Sequence, residues 1–400
     1  MMPKEIDRFI RNKREQELAQ YADQLASQLA ITADIYDKSG DFPFEHYDIL
    51  RKNNFFDLTI PEEYGGRGIS LYEIILIQER LARCDASTAL SVGWHLGFFY
   101  NLSVVRPWKE DIFKRLCEEA ITSGELLNLF VTEPAGNPGR GGRTQTIARK
   151  VPGGYILKGR KSFCTLAPIL QRFTVYASLE NEETYGEFLV EKSDKIQLVT
   201  TWDTMGMRST GSHDLILDEV FVPEHDLMGE YGSGLERLGK DSGASLFHIP
   251  AVYSGIAFSA RDLILDFATN YSPPSLQGSI SELPHVRAKL GELELELKTA
   301  RTLLYAAAAR WDENIEYRPH MSVEFQHAKH VVCNKAIRIV ELAMRIMGGK
   351  SLLKANKLER LFRDVHCGLH NPPMDDQVID GLARNALEEF KKNESTLHKL

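Results

Sequence analysis

The chain is poor in cysteine, has no long apolar run and carries no excess of positive charge, and each shortage removes a class of protein. Its five cysteines, Cys84, Cys117, Cys164, Cys333 and Cys367, are scattered without a C-x-x-C pair, which argues against both a zinc site and a disulfide framework. A reducing compartment, the cytoplasm, is expected. No segment reaches the ~18 consecutive apolar residues of a membrane span. The start of the chain, from Lys4 through Asp7, Arg8 and Arg11 to Glu15, is charged where an export signal is apolar, so neither export nor membrane embedding is expected. Lys and Arg number 48 against 56 Asp and Glu, and a formal charge of −8 offers nothing to hold a phosphate backbone. Nucleic acid is not an expected partner.

What is present is an ordinary globular composition, 43% hydrophobic and 26% charged over 400 residues, enough for two or three domains. Leu18, Tyr21, Ala22, Leu25 and Leu29 recur at helical spacing, and a longer apolar stretch runs from Tyr72 to Leu81. From about Leu126 short β-rich runs take over: Tyr155-Ile156-Leu157, Phe173 to Tyr176, Phe188 to Val190, Leu215 to Leu217 and Val220 to Val222. They cluster without intervening helices, which predicts a compact antiparallel β domain. After Pro223 the helical period returns. Val286, Leu290, Leu293, Leu297 and Leu304 share one face, and a second strong helix from Val332 to Ile346 stops at Gly348-Gly349.

Gly65-Gly66-Arg67-Gly68 and Gly139-Arg140-Gly141-Gly142 lack the spacing of a phosphate cradle and read as turns. Glu324-x-x-His327 and Glu282-x-x-His285 match half of a di-iron bundle signature, but the second carries Pro284 and no further bundle carboxylates announce themselves, so no metal is expected. Thr132-Glu133-Pro134-Ala135-Gly136-Asn137 could present a hydroxyl and backbone N–H groups to a cofactor, or be a capped loop. Gly159 to Thr165 places Phe163 and Thr165 on a strand edge, where the first could stack on a flat ring and the second donate to it; ordinary strand packing is the alternative.

Taken in order, these segments resemble the acyl-CoA dehydrogenase superfamily of flavoproteins over nearly the whole chain. The carriers are Pro61-Glu62-Glu63-Tyr64-Gly65-Gly66, Thr132-Glu133-Pro134, Gly159 to Thr165, Met205-Gly206-Met207-Arg208-Ser209-Thr210 with Val220-Phe221-Val222-Pro223, and Gly348-Gly349 with Leu358 to Asp364. The resemblance implies a mainly α fold with a central β-barrel: an all-α domain over 1–125, a middle β-barrel domain over 126–228 and a C-terminal four-helix bundle over 229–400. It implies FAD between barrel and bundle in a homodimer or homotetramer, an acyl-CoA or other small-molecule substrate, and an electron-transfer flavoprotein or O₂ as acceptor. It assigns Phe130, Val131, Thr132, Gly136 and Asn137 to the flavin, Phe163 and Thr165 to its ring, Arg345 and Gly349 to a neighbouring subunit's cofactor, and Arg208 and Ser209 to the substrate channel.

The sequence departs from the family at the base that dehydrogenation requires for the acyl α-proton. The usual Glu position falls at Pro372 and the alternative one at Ser245, neither of them ionisable; a two-residue gap would instead bring up Asp375 or Asp376. An arginine that grips the diphosphate falls near Pro273 and another at Leu246, with Arg345 as the substitute cation. His370 is the ionisable group nearest the vacant position and the first candidate for acid–base work, and His95 is expected beside the ring and substrate. Histidines there resemble the superfamily's monooxygenase branch, which uses reduced flavin, FMN included, and O₂. An acyl-CoA dehydrogenase-like oxidoreductase is the leading expectation, with the monooxygenase and a non-catalytic flavin or acyl-CoA binder as alternatives.

Overall fold

A computed structural model describes residues 4–136, 143–182, 184–229 and 243–397. Six helices come first: α1 (Lys13–Leu29), α2 (Ala33–Ser39), α3 (Phe44–Lys52), α4 (Leu71–Cys84), α5 (Ala86–Val105) and α6 (Glu110–Ser123). Their starts are written into the sequence. Asn12 accepts the Glu15 N–H at 2.9 Å to open α1, Ser70 and Glu73 form a reciprocal capping box on α4, and Asp85 accepts from Ser87 and Thr88 to open α5. The α1 stripe Leu18, Ala22, Leu25, Leu29 is buried as its spacing predicts. Both α4 and α5 are buried on nearly every side, because each lies between the N-terminal helices and the C-terminal ones.

Helix α4 carries charge into that interior. Glu79 accepts from Ser254 at 2.6 Å, from Arg301 at 2.8 and 3.0 Å and from Tyr305 at 2.8 Å, so its carboxylate is fully partnered. Arg301 also holds the carbonyls of Glu5 and Ile6 at 2.7 and 3.0 Å, and Arg80 holds the Asp7 carboxylate at 2.6 Å. The first ordered turn is thereby fastened to the centre of the molecule.

The β unit is one eight-stranded sheet. Its strands are β1 (Leu129–Phe130), β2 (Ile147–Val151), β3 (Gly154–Cys164), β4 (Arg172–Leu179), β5 (Tyr185–Glu191), β6 (Ile196–Val199), β7 (His213–Pro223) and β8 (Leu227–Met228), in the path β6-β7-β3-β2-β4-β5-β8 with β1 on β4. The expected antiparallel sheet is in fact mixed, because β1 and β2 both run parallel to β4. The two apolar runs after Leu215 are one strand, interrupted by Glu219 at φ 59° opposite a register shift between Leu157 and Gly159. The sheet curls so that β5 approaches β7, and among the described residues no hydrogen bonds join β6 to β8.

Among the described residues five further helices follow: α7 (His248–Asn270), α8 (Pro284–Glu313), α9 (Ser322–Met347), α10 (Lys357–His366) and α11 (Asp375–Leu397). Pro284 sits at the first turn of α8, where its missing N–H costs nothing. The α8 face of Val286, Leu293, Leu297 and Leu304 packs on α9 and α7, as the periodicity predicts. No described helix is long and apolar enough to cross a membrane, and all five cysteines are free thiols.

Candidate functional site

The seam between sheet and helices is built first by α5. His95 on this helix is fully buried; its Nδ1 accepts the Leu127 N–H at 3.1 Å just before β1, and its Nε2 lies 3.1 Å from the Phe56 carbonyl. An imidazole that accepts on one nitrogen and meets a carbonyl on the other is a neutral Nε2–H tautomer. Burial lowers its pKa to about 4. His95 is thus a strut tying the sheet to the N-terminal helices, which corrects its expected place against the substrate: neither nitrogen is free to meet one.

The edge of the sheet forms the opposite wall. The Thr132 carbonyl accepts from the Ser162 N–H at 2.9 Å, fixing the Thr132–Gly136 turn beside β3. Beneath it Glu133 is buried and accepts from Thr146 N at 3.0 Å and from Lys161 Nζ at 2.6 Å, while Lys161, 0% exposed, also donates to the Tyr176 carbonyl at 2.6 Å. Burial acts to raise the Glu133 pKa, but the Lys161 ammonium and the hydrogen bonds hold it below the usual value. Thr132 and Val131 are half-buried and Gly136 is exposed at φ 131°. Phe130 turns inward against Phe173 and is 2% exposed, so its ring belongs to the sheet core. Asn137 lies outside the described residues.

Phe163 falls where the sheet bulges, between Lys161 and Cys164, and Thr165 follows directly after β3. Phe163 adopts φ 57° and leaves its ring 64% exposed, edge-on to Trp202 at 6.0 Å. A left-handed aromatic residue held out from a sheet edge costs conformational energy, and such strain concentrates at ligand sites. Next to it, hydroxyls chain from Thr165 to Ser212 to Thr210, each 2.8 Å from the next. An apolar plate, a hydroxyl ladder and a glycine-bearing turn suit a flat, polar-edged ring system such as a flavin.

The third wall is the start of α7 and the turn after α10. Gly368 lies flat on the buried Tyr253 ring, where an added Cβ would come within 3.1 Å, and the Tyr253 hydroxyl donates to Asn371 Oδ1 at 2.6 Å. These contacts hold the turn that presents His370, which is exposed. Two of the three nearby carboxylates are engaged. Asp364 accepts the Met207 N–H at 2.7 Å and is raised to about 6 by burial; Asp375 is engaged by Asn334 at 2.9 Å and His330 at 3.1 Å, and Asp376 is exposed at the start of α11. Ser245 spends its carbonyl on His248 Nδ1 at 3.0 Å.

Arg208 is a clasp. It donates to the Asp37 and Thr204 carbonyls at 2.8 and 2.7 Å, joining the sheet loop to the end of α2; Ser209 beside it is buried. Arg345 and Gly349 are exposed at the end of α9, remote in sequence from the seam and open to a second copy. Sequence reasoning passed over His248 and Tyr253, which sit in the apolar run of α7 as single polar positions and carry no motif.

Comparison with known proteins matches this architecture. The acyl-CoA dehydrogenase N-terminal domain family covers residues 12–106, the middle domain family 128–220 and the C-terminal domain family 247–371. The putative acyl-CoA dehydrogenase YdbM of Bacillus subtilis is 44% identical across 95% of this chain and 99% of its own. The chain belongs to the acyl-CoA dehydrogenase family. Within it, the 3-(aryl)acrylate reductase of Clostridium sporogenes is 30% identical over 90% of this chain and 92% of its own, and the L-evernosamine nitrososynthase of a Micromonospora strain is 27% identical over 90% and 87%. Among solved structures, FMN-bound TdsC from Paenibacillus sp. A11-2 superposes with a TM-score of 0.81 at 23% identity, covering 89% of this chain and 94% of its own, which shows a common fold.

Proposed function

We propose that this acyl-CoA dehydrogenase family member binds FMN or FAD in the seam and uses it, reduced, with O₂ to oxygenate a small organic substrate. One observation carries the choice over dehydrogenation. Both positions where the family's base falls are occupied by Pro372 and Ser245; of the carboxylates near them in sequence, Asp364 is held by Met207 and Asp375 by Asn334, while Asp376 is exposed at the start of α11. Removal of an acyl α-proton needs a base within hydrogen-bond reach of it, in this family normally a carboxylate. The order of the two readings is therefore reversed from the one the sequence favours. The names of YdbM and of the acrylate reductase support the second reading, an acyl-CoA dehydrogenase-like oxidoreductase.

Reduced flavin would supply two electrons to O₂, so that one oxygen atom enters the substrate and the other leaves as water. The chain's own contribution is position and exclusion. The Thr165, Ser212 and Thr210 hydroxyls and the Thr132 turn would hold the ring's polar edge, Phe163 and Trp202 would cover it, and His370 would handle protons at the mouth of the seam. Arg345 and Gly349 would meet the cofactor of a second copy in a homodimer or homotetramer, and free thiols fit a cytoplasmic setting. The test is a pair of assays on the purified chain. Anaerobic bleaching of bound flavin by acyl-CoAs of varied length would overturn the proposal. Substrate-dependent O₂ incorporation, traced with labelled O₂ and a separate flavin reductase, is the expected result, with turnover lowered in His370→Ala.

A further inference from the structure

The contact between α5 and the start of α7 is closed by an imidazole that nothing else in the site explains. His248 is 1% exposed and sits where Gly93 and Gly97 leave α5 without side chains. A Cβ on Gly93 would meet His248 Cδ2 at 2.3 Å, and one on Gly97 would meet the Ser245 carbonyl oxygen at 2.0 Å, so both glycines are required by this ring and its support. Trp94 stands edge-on to the ring at 5.1 Å.

The tautomer follows from one contact. Nδ1 lies 3.0 Å from the Ser245 carbonyl, which can only accept, so Nδ1 carries the proton and Nε2 presents a lone pair. That Nε2 is buried and has no hydrogen-bond partner among the described residues. A buried acceptor left without a donor is costly, and the chain could have avoided it with a leucine. Burial lowers the ring's pKa to about 4, so near neutral pH it accepts and does not donate through Nε2.

We infer that His248 Nε2 is a recognition element of the seam, accepting a hydrogen bond from a ligand that buries a hydroxyl or N–H group against Trp94. A thioester-linked alkyl chain has no such donor, whereas phenols, indoles and amino or hydroxy compounds do. The inference deepens the proposed oxygenation by naming its substrate class and rests on that site assignment.

The experiment uses the full chain with ¹⁵N-labelled histidine, with and without FMN, titrated with phenol and with anisole, which has the same ring and no donor. Phenol should move the His248 Nε2 resonance towards its hydrogen-bonded position and bind about tenfold tighter than anisole, the size of one net hydrogen bond. His248→Phe should erase that preference, and His248→Gln, which keeps an acceptor and guards against a folding failure, should retain part of it. A resonance unmoved by phenol, as a permanently bound water would leave it, overturns the inference. So does a preference that survives in His248→Phe, or no phenol binding at all. Flavin uptake followed by absorbance on the same samples fails separately if the seam does not hold the cofactor.

Discussion

Replacing Lys161 by methionine probes the ion pair beneath the Thr132–Gly136 turn. The substitution keeps the stem and removes the ammonium that lies 2.6 Å from both Glu133 and the Tyr176 carbonyl. Glu133 would keep its backbone donors from Gln145 and Thr146 but lose its cation inside the sheet. Breaking one side of such a buried pair costs about 3–5 kcal/mol, against near neutrality when both partners are replaced. With an unfolding entropy of ~2.1 cal/mol/K per residue over 400 residues treated as one cooperative unit, 4 kcal/mol corresponds to a melting point lower by about 5 °C. The sign with pH is fixed. Without Lys161 the Glu133 carboxyl titrates above its unfolded value, so the folded variant binds more protons than the unfolded one, and its deficit shrinks as pH falls through that range. Scanning calorimetry between pH 5 and 8, on Lys161→Met, Glu133→Gln and the double variant, closes the cycle. The double variant should recover most of the loss. A single variant as stable as the parent, or additive singles, would refute the reasoning, and flavin retention should follow the same order.

Asp364→Asn addresses a carboxyl raised by burial to about 6. Because its folded pKa exceeds the unfolded one, the parent loses this group's contribution as pH rises from about 4 to about 6; the variant should show a flatter profile there and gain up to ~3 kcal/mol relative to the parent at pH 7. His95→Phe strands the Leu127 N–H and the Phe56 carbonyl and should cost about 2–4 kcal/mol in chemical denaturation. The buried imidazoles of His95 and His248 titrate near 4 when folded, so the parent should also lose stability as pH falls from about 6.5 towards 4, and each histidine variant should remove part of that slope. Tyr253→Phe deletes the 2.6 Å bond to Asn371; amide exchange should quicken at residues 368–371 for a global cost of about 1 kcal/mol, and unchanged exchange would separate the turn from its support.

The helices were legible because apolar spacing is local: Leu18, Ala22, Leu25 and Leu29, and Val286, Leu293, Leu297 and Leu304, are buried on the faces that their periodicity marks. The β region was legible in content and not in direction, since a parallel β2–β4 pair depends on a crossover that no short window contains. At the site, the exposed Phe163 and the Thr165 hydroxyl stand on the sheet edge where the residue pattern puts them. Histidine was harder. One imidazole in an apolar helix looks the same in sequence whether its nitrogens face a substrate, as expected for His95, or two backbone groups 39 and 32 positions away, as found. The clasp made by Arg208 was hidden for the same reason, its partner Asp37 lying 171 residues upstream.

The grip of Arg301 and Arg80 on residues 5–7 bears on how the chain must be handled. A shortened form beginning at Asn12 would strip carbonyl and carboxylate partners from two guanidiniums at the centre of the helices. Residues 5–7 are therefore internal partners of those two guanidiniums, and removing them would be felt at Glu79, deep in the fold.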